Sequence, residues 1–395
     1  MKEIPLSVPN LNSEITENLR ECIETGWVST GGRFISEFEQ KIAQYLKVEE
    51  TVACQSGTAG LHTALRILGV ESGDEVIVPT LTFIAAVNPV KYMDAEPIFM
   101  DCDDTLCLDV KKLRDFCQNK CRFDGHILKN KKTGRKVKAI VPVHIFGNMC
   151  NMEEIMSIAE QFNLKVLEDA TEALGTYYTE GKYSGKYAGT IGHMGVLSFN
   201  ANKIITTGGG GMILSNEKNY IDEARYLTTT AKDDGLYFAH DEVGYNYRML
   251  NLQAALGVSQ IDELESFIET KMKNYNLYNT FLSEVSGVEL LPFNEGIRAN
   301  HWFYSLLVDN EFFKEHKGID NFRNHIMEQL IDQDIQVRPI WKLVHTQVPY
   351  QANLSYSIAR APYYESHVLN LPCSSNLTSE DVRVVSNAII DIIKC

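Results

Sequence analysis

Ala139-Ile140-Val141-Pro142-Val143, then an apolar stripe at Met152, Ile155, Met156, Ala159 and Phe162, then Lys165-Val166-Leu167-Glu168-Asp169: this stretch decides the fold. The two flanking runs are short, apolar and rich in β-branched residues, as buried strands are. The stripe between them has helical spacing. A strand, a helix and a second strand in that order imply a parallel pair joined by a crossover helix. The same alternation runs from about Ser13 to Gln260, with Val76-Ile77-Val78-Pro79 and Pro97-Ile98-Phe99-Met100 as further strands. The expected class is therefore α/β, a mostly parallel sheet covered by helices. Residues just past such strands gather at the carboxyl edge of the sheet, where open α/β folds bind ligands.

The 395 residues are too many for one small core and imply a large domain followed by a smaller one. After Leu252 a helical segment carries Ile261, Leu264, Phe267 and Ile268, which sets the expected domains at 1–261 and 262–395. A formal net charge of -15 disfavours a nucleic-acid partner, which needs a basic face to neutralise phosphates. It leaves room for a small anion held by local donors. One stretch, Arg122 to Lys138, is basic around a Thr133-Gly134 turn and reads as a solvated hairpin insertion. No apolar run is long enough to span a membrane and no signal core opens the chain, so a cytoplasmic protein is expected. The nine scattered cysteines include no CxxC pair. They read as reduced thiols, and Cys117 and Cys121 lack a second ligand pair for a metal.

Three short segments carry chemistry. Ser56-Gly57-Thr58-Ala59-Gly60 follows an apolar run and opens a helical one; small residues there expose N–H groups at a positive helix end, fit for an anion or for a plain N-cap. Asp169 ends a buried strand, and a buried carboxylate needs a cation or a donor; a pyridinium nitrogen or the next helix would serve. Lys203 projects from Ser198-Phe199-Asn200-Ala201-Asn202-Lys203, just ahead of Gly208-Gly209-Gly210-Gly211. A lysine is a nucleophile only when its position is fixed and its basicity lowered, as in Schiff-base enzymes.

In combination these elements, with Phe83 after a strand, resemble the fold type I pyridoxal phosphate enzymes, and within them the DegT/StrS sugar aminotransferases. The resemblance spans nearly the whole chain, through Gly26-Trp27-Val28-Ser29-Thr30-Gly31, Ser56-Gly57-Thr58, Pro142-Val143-His144-Ile145-Phe146-Gly147, Glu168-Asp169-Ala170, Ser198-Phe199 with Lys203, and Gly244-Tyr245-Asn246-Tyr247-Arg248 with Asn251, Gln253 and Ala254. Ile4-Pro5-Leu6-Ser7, the basic insertion and Arg338-Pro339-Ile340-Trp341-Lys342 look most like the legionaminic acid branch (LegC-like), with bacillosamine-type enzymes close by.

The resemblance implies a large domain with a mixed, mostly parallel seven-stranded sheet plus a smaller C-terminal α/β domain. It implies pyridoxal 5'-phosphate held covalently by Lys203, which also shuttles the proton, with Asp169 at the pyridine nitrogen. It further implies Gly57, Thr58 and Ser198 at the phosphate and Phe83 against the ring. Asn246 is implied to reach the cofactor of a second subunit, making a homodimer with shared sites. Where many relatives carry Gln, this chain has Glu172, which accepts but cannot donate once ionised. The implied reaction moves an amino group from L-glutamate to a nucleotide-linked 4-keto-6-deoxy sugar. For that substrate His301, Trp302, Arg338 and Trp341 are candidates, although the tryptophans also suit interdomain packing. A 3-keto sugar or cyclitol aminotransferase would share every cofactor residue. A dehydratase of this fold would lack the lysine, and a non-catalytic regulator is the rival from another class.

Overall fold

The computed structural model describes residues 3–394; Cys395, one of the nine cysteines, lies outside them. Seven strands build the large sheet: β1 (Thr51–Cys54), β2 (Glu75–Pro79), β3 (Glu96–Met100), β4 (Lys136–Ile140), β5 (Lys165–Asp169), β6 (Met194–Ser198) and β7 (Gly211–Leu214). Their order is β1-β7-β6-β5-β4-β2-β3. All neighbours from β6 to β3 are parallel, and β7 runs antiparallel to both β6 and β1. The seven expected strands are joined by three short ones. Leu354–Tyr356 extends the β3 edge in parallel, and the hairpin Cys121–Phe123 and Leu128–Asn130 pairs antiparallel with β4.

β5 lies between β4 and β6, so both of its edges are paired, and consecutive Val166 and Leu167, on opposite faces, are both fully buried; a strand covered on both faces reads as an unbroken apolar run. The helix before it, Met152–Phe162, starts where Asn151 Oδ1 accepts the Glu154 N–H (3.1 Å) and ends at Asn163 in the left-handed region. Its core stripe is Met152, Ile155, Ile158, Ala159 and Phe162, with Met156 only half-buried.

The basic stretch is the expected hairpin, but its last residues, Lys136 to Lys138, belong to β4 itself. The long helical segment is two helices, Asn251–Asp262 and Leu264–Leu282. The first packs closely on Arg33–Leu46: a Cβ on Gly257 would stand 2.6 Å from the Phe38 ring, so only glycine permits this approach. A second, antiparallel sheet orders Val288–Leu290, Tyr304–Val308, Val368–Leu371 and Arg338–Pro339.

Two sets of bonds tie distant parts of the chain together. Ile4 bridges Ile335, the Gln336 N–H donates to Ile4 O (2.9 Å), and the Cys373 N–H donates to Leu6 O (2.8 Å). In the second set, fully buried Asp101, just past β3, accepts the N–H groups of Ala359, Arg360 and Ala361, each at 2.8 Å, together with the Lys112 ammonium.

Candidate active site

The carboxyl ends of β5 and β6 and the start of the helix Gly57–Ile67 meet at a cavity of about 690 Å³. Ser56 caps that helix by accepting the Ala59 N–H (3.1 Å). The first donor spent inside the helix is Gly60 N–H, to Ser56 O at 3.0 Å, so the Gly57 and Thr58 N–H groups precede the internal ladder. Both residues line the cavity, as does Ser198 from the end of β6. A Cβ on Gly57 would lie 3.0 Å from Thr171 Cγ2 and 3.1 Å from Ser198 Cβ, inside the space the cradle needs. The structure thus brings the three expected residues together at the cavity, with the free donors that an anion would need.

Asp169 ends β5 and is 3% exposed, with Oδ1 accepting the Thr171 N–H at 3.1 Å. Burial raises its carboxyl above the usual range, against the pull of Thr171 and the Lys203 charge. Such a carboxylate is suited to a cationic nitrogen in the cavity. Its neighbour Glu168 points elsewhere. Glu168 accepts three backbone N–H groups, from Gly189 (3.0 Å), Ile191 (2.7 Å) and Gly192 (2.5 Å), as well as His144 Nε2 (2.8 Å). The Cys150 N–H donates to His144 Nδ1 (3.1 Å), which places the ring proton on Nε2. The pair braces the strand ends that carry Asp169.

Lys203 follows a tight turn, its N–H donating to Asn200 O (2.9 Å), and fully buried Phe199 anchors that turn against Phe38 at 4.9 Å. Burying one such ring contributes about 1.5–3 kcal/mol, enough to hold a short turn in one place. The lysine side chain is 13% exposed; its Nζ lies 3.8 Å from Glu172 Oε1 and 4.0 Å from the centre of the Trp302 ring. Burial lowers the amine below its ordinary value, while Glu172 and Asp169 oppose the shift. Glu172, 4% exposed, takes the Phe146 N–H on Oε2 (2.8 Å), and burial pushes its carboxyl up to about 7. A fixed, desolvated amine beside a carboxyl that titrates near neutrality can take up and release a proton.

The other expected residues divide. Phe83, 53% exposed, lines the cavity with Trp341 (ring centres 6.1 Å apart) and with exposed Arg338, whose Nη1 donates to Val337 O (2.8 Å). Trp302 also lines it, but is 2% exposed and commits its Nε1 to Asn202 O (2.8 Å); its ring belongs to Lys203 more than to a sugar. His301 is corrected. It does not line the cavity, because a left-handed backbone (φ 52°) turns it onto Phe293 (4.3 Å) and Tyr275 (5.0 Å). Asn246 is exposed, bridges Thr229 and does not line the cavity either. The sequence reading missed Asn200, Asn202 and Phe146 as wall residues and gave Leu6 no place there. The turn before Lys203 was the signal available for the two asparagines.

The free donors, the buried carboxylate and the desolvated lysine fit pyridoxal phosphate: Gly57, Thr58 and Ser198 would hold its phosphate, Asp169 its ring nitrogen and Lys203 its aldehyde carbon. Comparison with known proteins agrees. Residues 9–390 match the DegT/DnrJ/EryC1/StrS aminotransferase family. A GDP-perosamine synthase of Escherichia coli is 35% identical over 98% of this chain and 98% of its own. The crystal structure of a DegT DnrJ EryC1 StrS aminotransferase from Brucella abortus superposes with a TM-score of 0.85 at 26% identity, covering 96% of this chain and 95% of that one. For Helicobacter pylori PseC, an aminotransferase involved in the biosynthesis of pseudoaminic acid, the TM-score is 0.88 over 100% of both chains; at 22% identity that likeness shows the fold alone. The chain belongs to the DegT/DnrJ/EryC1/StrS aminotransferase family, and its cofactor is pyridoxal 5'-phosphate.

Proposed function

We propose that this member of the DegT/DnrJ/EryC1/StrS family converts a nucleotide-linked (UDP or GDP) 4-keto-6-deoxy-N-acetylhexosamine to its 4-amino sugar, with L-glutamate as donor, for a surface glycan of the legionaminic acid or bacillosamine type. The observation that carries the reading is the Lys203 amine held between Glu172 and Trp302 at the floor of a cavity whose wall includes Phe83, Arg338, Trp341 and Lys342. Flat aromatic groups suit a sugar or base, and the two cations suit a pyrophosphate or a donor carboxylate.

The bound cofactor supplies an electron sink for the carbon that loses or gains a proton. The chain supplies the rest. Asp169 would hold the ring nitrogen and keep it protonated. Lys203 Nζ carries the proton to and from the substrate carbon, and Glu172 stabilises the amine in its charged state. The donors of Gly57, Thr58 and Ser198 would fix the phosphate, so the reacting carbon is presented to Lys203 without a search. The exposure of Asn246, together with exposed Leu236, Tyr237, Phe238 and Val243 in the preceding loop, supports a homodimer in which that asparagine serves a second copy's site.

The test is a panel of keto nucleotide sugars and keto cyclitols added to the pyridoxamine form, followed by absorbance. Fast conversion by a UDP- or GDP-linked 4-keto-6-deoxy-N-acetylhexosamine is expected. Conversion by 3-keto sugars or cyclitols alone would refute the proposal. Between the two nucleotides, the likeness to a GDP-perosamine synthase favours GDP, and the same panel run with both nucleotides decides it.

A further inference from the structure

We propose that Asn300 is a positioning residue for proton transfer by Lys203, holding both Glu172 and Trp302 beside its amine. Asn300 lies outside the cavity wall and is fully buried. Its Nδ2 donates to the carbonyls of Glu172 and Leu174, each at 2.9 Å, and its Oδ1 accepts the Trp302 N–H at 2.9 Å. Its own N–H donates to Thr176 Oγ1 (3.0 Å), which in turn donates to Gly147 O (2.8 Å). One amide is thus bonded to the main chain of the two residues whose side chains flank Lys203 Nζ, at 3.8 Å and 4.0 Å.

The local backbone is shaped around that amide. A Cβ on Gly147 would stand 1.9 Å from Asn300 Oδ1, so position 147 is open only to glycine while the amide is there. The left-handed turn at His301 lets Asn300 Oδ1 reach two residues ahead and sends the Trp302 indole back to Asn202 O, the carbonyl just before Lys203. Ser7 Oγ donates to the same carbonyl at 3.3 Å.

The spacing explains why such a brace matters. At 3.8 Å Glu172 and Lys203 form an ion pair just outside hydrogen-bond range, and in a desolvated site their attraction is only weakly screened. A drift inward would add a hydrogen bond to the ion pair and hold the proton on the amine; a drift outward would weaken the support that Glu172 gives it. The brace serves the aminotransferase reaction whichever keto sugar is accepted.

Asn300→Asp keeps the acceptor for the Trp302 N–H but turns the two donors into an oxygen facing two carbonyls; Asn300→Ser shortens the link. Two readouts apply: the rate of the half-reaction of the holoenzyme with L-glutamate, and the pH profile of Lys203 acylation by acetic anhydride in the apoenzyme, read by peptide mass. In either variant the rate is expected to fall about 10- to 100-fold, as for a reacting group displaced by a fraction of an ångström. The acylation midpoint is expected to move by about half a pH unit or more. In a Glu172→Gln background, Asn300→Asp is expected to move the midpoint no further. A folded Asn300→Asp enzyme with the parental rate and midpoint overturns the proposal, as does an undiminished shift in the Glu172→Gln background. If neither variant folds, Asn300 is a folding residue and the proposal fails. If L-glutamate leaves the parental enzyme unchanged, the donor assignment fails while the acylation comparison still decides the role of Asn300.

Discussion

Replacing Glu172 by glutamine should change how the stability of the apoenzyme depends on pH. The carboxyl is held at about 7 by burial, against an ordinary value of 4.5. Between those limits the folded chain keeps a proton that the unfolded chain has released, so stability falls as pH rises through the window and is flat above it. At 1.36 kcal/mol per unit the whole fall is about 3 kcal/mol. Glutamine still accepts the Phe146 N–H but has nothing to ionise, so the fall should vanish. The assay is urea unfolding of both apoproteins at one fixed chain concentration from pH 5 to 7.5. The variant's advantage should grow across that range by up to about 3 kcal/mol. Because Glu172 and Lys203 titrate together, this difference belongs to the pair. A difference that stays constant with pH would refute the reasoning.

Lys203→Ala should abolish amino-group transfer while leaving pyridoxamine phosphate bound; measurable turnover in spectrophotometric assays would remove the lysine from its role. Gly257→Ala places a methyl group within 2.6 Å of the Phe38 ring and should lower unfolding stability by about 1–3 kcal/mol, seen in denaturant midpoints. Asn246→Ala should weaken cofactor retention on dialysis without altering the absorbance of the cofactor that remains; unchanged retention would count against service to a second copy.

Legibility followed burial. β5 and the strands at Val76 and Pro97 could be read to within a residue because both of their faces are covered and the run is apolar. β4 was displaced. Its expected end, Val143, makes only an isolated bridge to Asp169, while its true start, Lys136, pairs with a polar hairpin and looks like solvated chain. Gly57, Asp169 and Ser198 were legible because each stands at an element end, where position alone brings it to one edge, and Lys203 because it follows in the turn after β6. Asn300 was not, since its partners at Glu172 and Leu174 are remote in sequence and nothing in its own segment distinguishes it. His301 and Trp302 were neighbouring candidates for the substrate. A single positive φ put one into packing and the other beside the lysine.

The strand Leu354–Tyr356 has a consequence for synthesis. β3, made early, has one neighbour in β2 and waits for its other until residue 356 has left the ribosome. Until then its outer edge is an open row of N–H and C=O groups, able to pair with another nascent chain. Asp101, likewise, has no backbone donors from residues 359–361 until that moment. Truncations ending before residue 354 should therefore aggregate during translation, and the yield of soluble chain should rise sharply once the residues through Ala361 are included.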